Sequence, residues 1–175
     1  PISGTGHRTQ PASALSEVLV AFRLSGGGAY AEVERATLNA ADGEFVAIVG
    51  PTGCGKSTLL NVAAGLMPPS AGRVDIFGSA LAALNRQAGY LFQADALFPW
   101  KTALENVAIG LETVGTQSPE ARTRAQAWLT LSRLGAPGDR YPSFSSAGQR
   151  KRVGLSHVLI RGPQTLLLDE HSGPL

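Results

Sequence analysis

The sequence predicts an α/β fold: a mostly parallel sheet, an antiparallel β part ahead of it, and a helical subdomain at about residues 95–160. Three observations point there. An apolar run, Phe45-Val46-Ala47-Ile48-Val49, enters the glycine-rich turn Gly50-Pro51-Thr52-Gly53-Cys54-Gly55-Lys56-Ser57-Thr58, and residues 59–66 follow with helical spacing. A second apolar run, Leu166-Leu167-Leu168, ends on two carboxylates, Asp169 and Glu170. Between the two, from about residue 102, apolar positions recur at helical rather than strand spacing.

Composition bounds the rest. The 175 residues are 43% hydrophobic and 16% charged, which excludes a disordered chain and allows one domain with a core. No apolar run is long enough to span a bilayer. The net charge is +2, and basic residues are scattered apart from Arg150-Lys151-Arg152, so no stripe for nucleic acid is expected. The single cysteine, Cys54, excludes a disulfide framework and fits a reducing compartment. Residues 1–14 read as a disordered leader, and residues 15–175 as the folded domain.

In chain order, residues 17–24 read as a strand, Ser25-Gly26-Gly27-Gly28 as a turn, and residues 30–38 as the return strand of a hairpin. Ala41-Asp42-Gly43-Glu44 turns into the strand over 45–49. Past the first helix, Met67-Pro68-Pro69-Ser70-Ala71-Gly72 breaks the chain. Residues 73–78 alternate as a short strand, residues 80–86 are a loop or a helical turn, and residues 88–93 form a buried strand ending on Gln93. Thr102 and Glu105 stand three apart, as in a capping box, ahead of Leu104, Val107, Ala108 and Leu111 on one helical face. Ser118-Pro119-Glu120 opens a helix to about residue 134, with Pro near its start. Ser145 or Ser146 caps another over 147–160, and residues 164–170 return as a strand.

The first turn matches G-x-x-x-x-G-K-[ST], the phosphate-binding P-loop, and so predicts a P-loop NTPase core. Glycines let successive N–H groups curl toward a phosphate, and a helix N-terminus adds partial positive charge. Lys56 is expected to reach the β/γ-phosphates and the Ser57 hydroxyl to meet Mg²⁺. Asp169, at the end of an apolar strand, is placed for Mg²⁺, and Glu170 is placed to act as general base on a water. Cys54 reads as a tolerated small residue of the loop rather than a nucleophile.

With these in order, the chain resembles the nucleotide-binding domain of an ATP-binding cassette (ABC) transporter over about residues 15–175. The run Gly50 to Thr58 is the phosphate loop, Gln93 matches the Q-loop, Ser145-Ser146-Ala147-Gly148-Gln149 matches the signature Leu-Ser-Gly-Gly-Gln, and residues 166–170 match the Walker B strand. Residues 90–100 and 102–111 resemble importers of the nitrate/sulfonate/taurine class.

The resemblance implies roles. Gly50, Pro51, Thr52, Gly53, Cys54, Gly55, Lys56, Ser57 and Thr58 hold the ATP phosphates and Mg²⁺. Gln93 contacts Mg²⁺ or the attacking water, Asp169 holds Mg²⁺, and Glu170 activates water. Ser146, Gly148 and Gln149 bind the γ-phosphate of ATP held by a second nucleotide-binding subunit, so that two domains sandwich two ATP molecules head to tail. Phe98-Pro99-Trp100 either lies near the groove for a coupling helix of a membrane permease subunit or is a hydrophobic staple within the helical subdomain. A solute-binding protein is an indirect partner, no nucleic acid is expected, and the location is peripheral, on the cytoplasmic face of the inner (plasma) membrane.

The chain departs from the pattern at several positions. Ser145 replaces an apolar Leu and Ala147 a Gly. Ala at that position is strained if the site needs φ > 0 and harmless if it lies in the first helical turn. His171 stands where Pro is usual, and His157, in the signature helix where Arg is frequent, reads as a surface or interface residue. The adenine-stacking aromatic falls closest to Leu24, with Tyr30 nearby and Phe22 read as core. The chain opens without Met, and the D-loop Asp and switch histidine would follow Leu175, so a C-terminally truncated piece of a longer product is expected. Two readings result: an ATPase driving uptake of a small anion, and a truncated or degenerate module that binds ATP without efficient turnover. An ABC-type ATPase of DNA repair or translation is a third and less favoured one.

Overall fold

The computed structural model describes residues 11–93, 96–131 and 138–169. The chain divides into two compact units, residues 1–86 and 87–175.

Among the described residues, the first unit is a four-stranded antiparallel sheet with one helix. Strands β1 (Ser13–Arg23) and β2 (Ala29–Ala40) form the expected hairpin; β1 starts four residues before the predicted strand, within the stretch read as a leader, and stops one residue short of Leu24, while β2 extends beyond its predicted strand at both ends. Its turn closes with the Leu24 N–H donating to the Gly28 carbonyl at 3.2 Å, and Gly27 and Gly28 take φ of 87° and 94°, open to glycine without strain. Strand β3 (Ala71–Ile76) pairs with the other edge of β1, Leu15 opposite Val74, and β4 (Ser79–Ala80) closes the order β2-β1-β3-β4. Leu15, Val18, Val20, Val33, Val74 and Ile76 are buried, together with Leu59 and Val62 of helix α1 (Lys56–Ala63). Helix α1 ends in a Schellman motif: Gly65, at φ 69°, donates to the Val62 carbonyl, and Leu66 donates to the Asn61 carbonyl.

Two expectations fail in this unit. Residues 45–49 form no strand, and Phe45 and Val49 are 86% and 88% exposed. Apolar β-branched composition marks a segment able to pair, but a strand exists only with a ladder partner, and this run has none among the described residues. Phe22 is not core. It faces Tyr30 across the hairpin, and both are exposed, because β3 pairs with β1 only as far as Leu19 and leaves the hairpin tip uncovered.

Among the described residues, the second unit holds a two-stranded parallel sheet and three α-helices, with a 3-10 turn at Pro142–Phe144. Strand β5 (Ala88–Leu91) pairs in register with β6 (Thr165–Leu168), Gly89 opposite Leu166 and Leu91 opposite Leu168. Helices α2 (Ala103–Glu112), α3 (Ser118–Leu131) and α4 (Ala147–Leu159) enclose a core of Ala103, Val107, Ala108, Leu111, Ala121, Ala125, Leu129, Val153 and Ile160. The small residues set the close approach of α2 to α4: a Cβ on Gly110 would come within 2.6 Å of the His157 carbonyl. Thr102 caps α2 through the expected box with Glu105. The buried face of α2 runs through Ala103, Asn106, Val107 and Gly110, whereas Leu104 is only partly buried.

Candidate nucleotide site

The glycine-rich turn leads directly into α1. Gly53 and Gly55 have φ of 80° and 83°, and Gly55 is the helix N-cap. A left-handed N-cap without a side chain leaves the first N–H groups of α1 unblocked, the arrangement an anion site needs. Lys56 folds back over the turn, its Nζ donating to the carbonyls of Gly50 and Pro51 at 3.1 and 2.9 Å. Pro51 also accepts from the Cys54 N–H at 3.4 Å, and Cys54 itself is exposed. Thr58 is buried, and its hydroxyl donates to Oε1 of Glu32 on β2 at 2.6 Å.

In the second unit, β5 and β6 run parallel and end side by side, the edge where α/β sheets collect ligand-binding groups. Asp169 follows β6 directly, and its N–H donates to the Leu91 carbonyl at 3.0 Å. It is 8% exposed, and the Tyr90 hydroxyl donates to its Oδ2 at 3.4 Å. Burial, and then the neighbouring Asp169 carboxylate, push the Tyr90 phenol up to about 12. Gln93, two residues past β5, is exposed. Glu170 and His171 lie outside the described residues.

Ser146 settles which serine caps α4. Its Oγ accepts the Gln149 N–H at 3.2 Å, and Gln149 Oε1 accepts the Ser146 N–H at 2.9 Å. The Ser146 hydroxyl still has its own proton to give. Ala147 is the first helical residue, so the Gly-to-Ala departure meets no backbone strain. Gly148 has open space where a Cβ would stand. Ser145 turns its hydroxyl back onto the Tyr141 carbonyl.

The 98–102 loop is held by Asn106, a residue the sequence reading passed over. Asn106 is fully buried, accepts the Phe98 N–H at 2.8 Å through Oδ1, and donates through Nδ2 to the carbonyls of Phe98, Lys101 and Thr102. A polar residue on the apolar face of α2 was the available signal. The loop so fixed leaves Trp100 69% exposed, with its ring 5.5 Å from that of Phe98, which is not the packing of a hydrophobic staple. His157, read as a surface or interface residue, is half-buried, and its Nδ1 faces the Asn106 carbonyl. Glu32 and Tyr90 were also passed over, since neither pairing has a fixed sequence spacing.

Among the described residues no three His, Cys, Asp or Glu side chains gather to hold a metal ion, and no helix is long and apolar enough to cross a membrane.

A family profile described as ABC transporter matches residues 33–173. The taurine import ATP-binding protein TauB of Mesorhizobium japonicum is 47% identical over 82% of this chain and 56% of its own length. The Fe(3+) ions import ATP-binding protein FbpC of Brucella abortus is 44% identical over 82% of this chain and 41% of its own. The chain thus spans about half the length of the curated relatives it matches. An ATP-binding cassette solved as a dimer in a post-hydrolysis state with ADP and Pi superposes with a TM-score of 0.81, at 29% identity, over 93% of this chain and 75% of that one. The fold is the α/β fold of those cassettes, and the chain belongs to the ABC transporter family.

Proposed function

We propose that this chain binds ATP and hydrolyses it as the ATP-binding part of an importer. The observation that carries the reading is the phosphate loop: two left-handed glycines and an uncapped helix start, with the Lys56 ammonium lying over the turn. Such a turn suits a polyphosphate, because backbone N–H groups and one cation converge without any side chain in the way. Gly50 to Thr58 hold the phosphates. The Ser57 hydroxyl, the Asp169 carboxylate and the Gln93 side-chain carbonyl are hard oxygen donors of the kind that would hold Mg²⁺, which would supply neutralisation of the phosphate charge. Glu170 takes the proton from the attacking water.

Ser146, Gly148 and Gln149 present a capped helix start whose N–H groups suit the γ-phosphate of ATP on a second copy or a similar subunit. Two solved structures of one related cassette are dimers, which agrees with that arrangement. ATP would then bridge two subunits, and its hydrolysis would release them. A membrane permease is the partner that turns this motion into transport, with the exposed Trp100 near its coupling helix and a solute-binding protein acting through the permease. The location is the cytoplasmic face of the membrane that holds the permease. A small-anion cargo of nitrate, sulfonate or taurine type rests on the resemblance of residues 90–111 and on the taurine relative; the Fe(3+) relative supports import without supporting that cargo.

Mixing two inactive variants tests the head-to-tail site. Lys56→Ala spoils the phosphate loop and Ser146→Arg spoils the signature serine, and each alone is expected to hydrolyse no ATP. A mixed dimer has one site with both parts intact, so hydrolysis returns on mixing. No recovery, with both variants folded, would contradict the shared site. Hydrolysis undetectable even in the unsubstituted chain, with ATP binding intact, would favour the binding module without turnover.

A further inference from the structure

The motif assignments leave Glu32 without a role, yet it touches the phosphate loop twice. Its Oε1 accepts the Thr58 hydroxyl at 2.6 Å. Its backbone carbonyl stands 2.8 Å from where a Cβ on Gly55 would lie. Strand β2 is therefore a wall of the loop, and the carboxylate sits against the first turn of α1, the turn whose N–H groups suit phosphate. The two effects of this carboxylate differ in sign. Its hydrogen bond ties α1 to β2 and steadies the loop, whereas its negative charge opposes another anion nearby.

We propose that Glu32 is a positioning and specificity-determining residue of the phosphate site, latching Thr58 while its charge weakens ATP binding more than ADP binding. This rests on reading residues 50–58 as the nucleotide site. ATP carries one more negative charge than ADP, alone or as its Mg²⁺ complex, so the repulsion grows with the third phosphate. The residue thereby narrows the preference for ATP and eases exchange of the two nucleotides.

ATP and ADP affinities are measured by equilibrium titration on the 175-residue chain, Glu32→Gln and Glu32→Ala, at low salt and at about 0.3 M salt. Glu32→Gln keeps an acceptor for Thr58 and removes the charge. At low salt it is expected to bind ATP about fivefold tighter, with a smaller gain for ADP, and the gain should shrink as salt screens the charge. Glu32→Ala should show the same shift in ATP-to-ADP ratio together with a lower thermal midpoint, since it leaves Thr58 without its acceptor. A merely structural role would lower the midpoint without moving the ratio or its salt dependence. An unchanged ratio, or weaker ATP binding in Glu32→Gln, would overturn the proposal. If the unsubstituted chain binds no ATP, the nucleotide reading falls and this proposal with it; if it binds and the variants match it, only this proposal falls.

Discussion

Gly55 shows what the phosphate loop demands of single residues. Its φ is 83°, and a Cβ there would lie 2.7 Å from Val33 Cγ2 and 2.8 Å from the Glu32 carbonyl. Alanine would meet both the left-handed strain and a backbone oxygen that cannot give way. Gly55→Ala is expected to cost more than about 1 kcal/mol and to displace the loop, read as a lower midpoint together with weaker ATP binding. Asn106 makes a comparable demand for a different reason. Removing its amide strands the Phe98 N–H and loosens three carbonyls that share its Nδ2 in a fully buried place. Asn106→Ala should cost about 3 kcal/mol or more, and proteolysis should find the 98–102 loop more readily. Gly55 and its neighbour Glu32 mark where sequence reading stops at this scale. Gly55 was legible because its motif has fixed spacing. Glu32 was not, because its partner Thr58 is 26 positions away and only the fold brings them together.

At the scale of elements, the helix starts were the most legible part of the chain. A serine or threonine with a Glu or Gln three residues on satisfies two N–H groups locally, so the box at Thr102–Glu105 was legible without tertiary information, whereas for α4 the sequence left Ser145 and Ser146 open and the structure pairs Ser146 with Gln149. Strands were less legible, since their existence depends on a partner: residues 45–49 look like β6 in composition, but only β6 has a described neighbour in register. At α2, the Thr102 N–H first, and then the Thr102 hydroxyl and Arg122, hold the Glu105 carboxylate below its ordinary value of 4.5. The sign follows from that lowering. The folded state prefers the ionised form, so the stabilisation is present above the unfolded value of 4.5 and is lost as pH falls through the lower folded value. Glu105→Gln should therefore flatten the acid limb of a stability-versus-pH curve. Thr102→Ala should cost about 1 kcal/mol at neutral pH by the loss of the cap.

For the whole molecule, the order of motifs along the chain carried the family assignment, and the folded units carried what each motif can do. Gly50–Thr58 and Asp169 were legible from the residues themselves, because phosphate and metal chemistry tolerates few alternatives at those positions, whereas Gln93 and Ser146–Gln149 were named only through the resemblance to ABC cassettes. What spacing did not reveal is their support. Tyr90 donates to Asp169, Glu32 accepts from Thr58, and His157 meets the Asn106 carbonyl, each pairing residues far apart in sequence. The signature departures also became readable only in three dimensions. Ala147 opens α4 as a first-turn residue, where alanine is well suited, so the altered run retains a helix start fit for an anion.

If the loop from Gly50 to Thr58 is an ATP site, equilibrium ATP binding must separate the unsubstituted chain from Lys56→Ala. Saturable binding is expected for the former and an affinity about 10- to 100-fold lower for the variant, the loss of one charge-assisted contact to phosphate. Equal affinity in the two, with both folded, would contradict it.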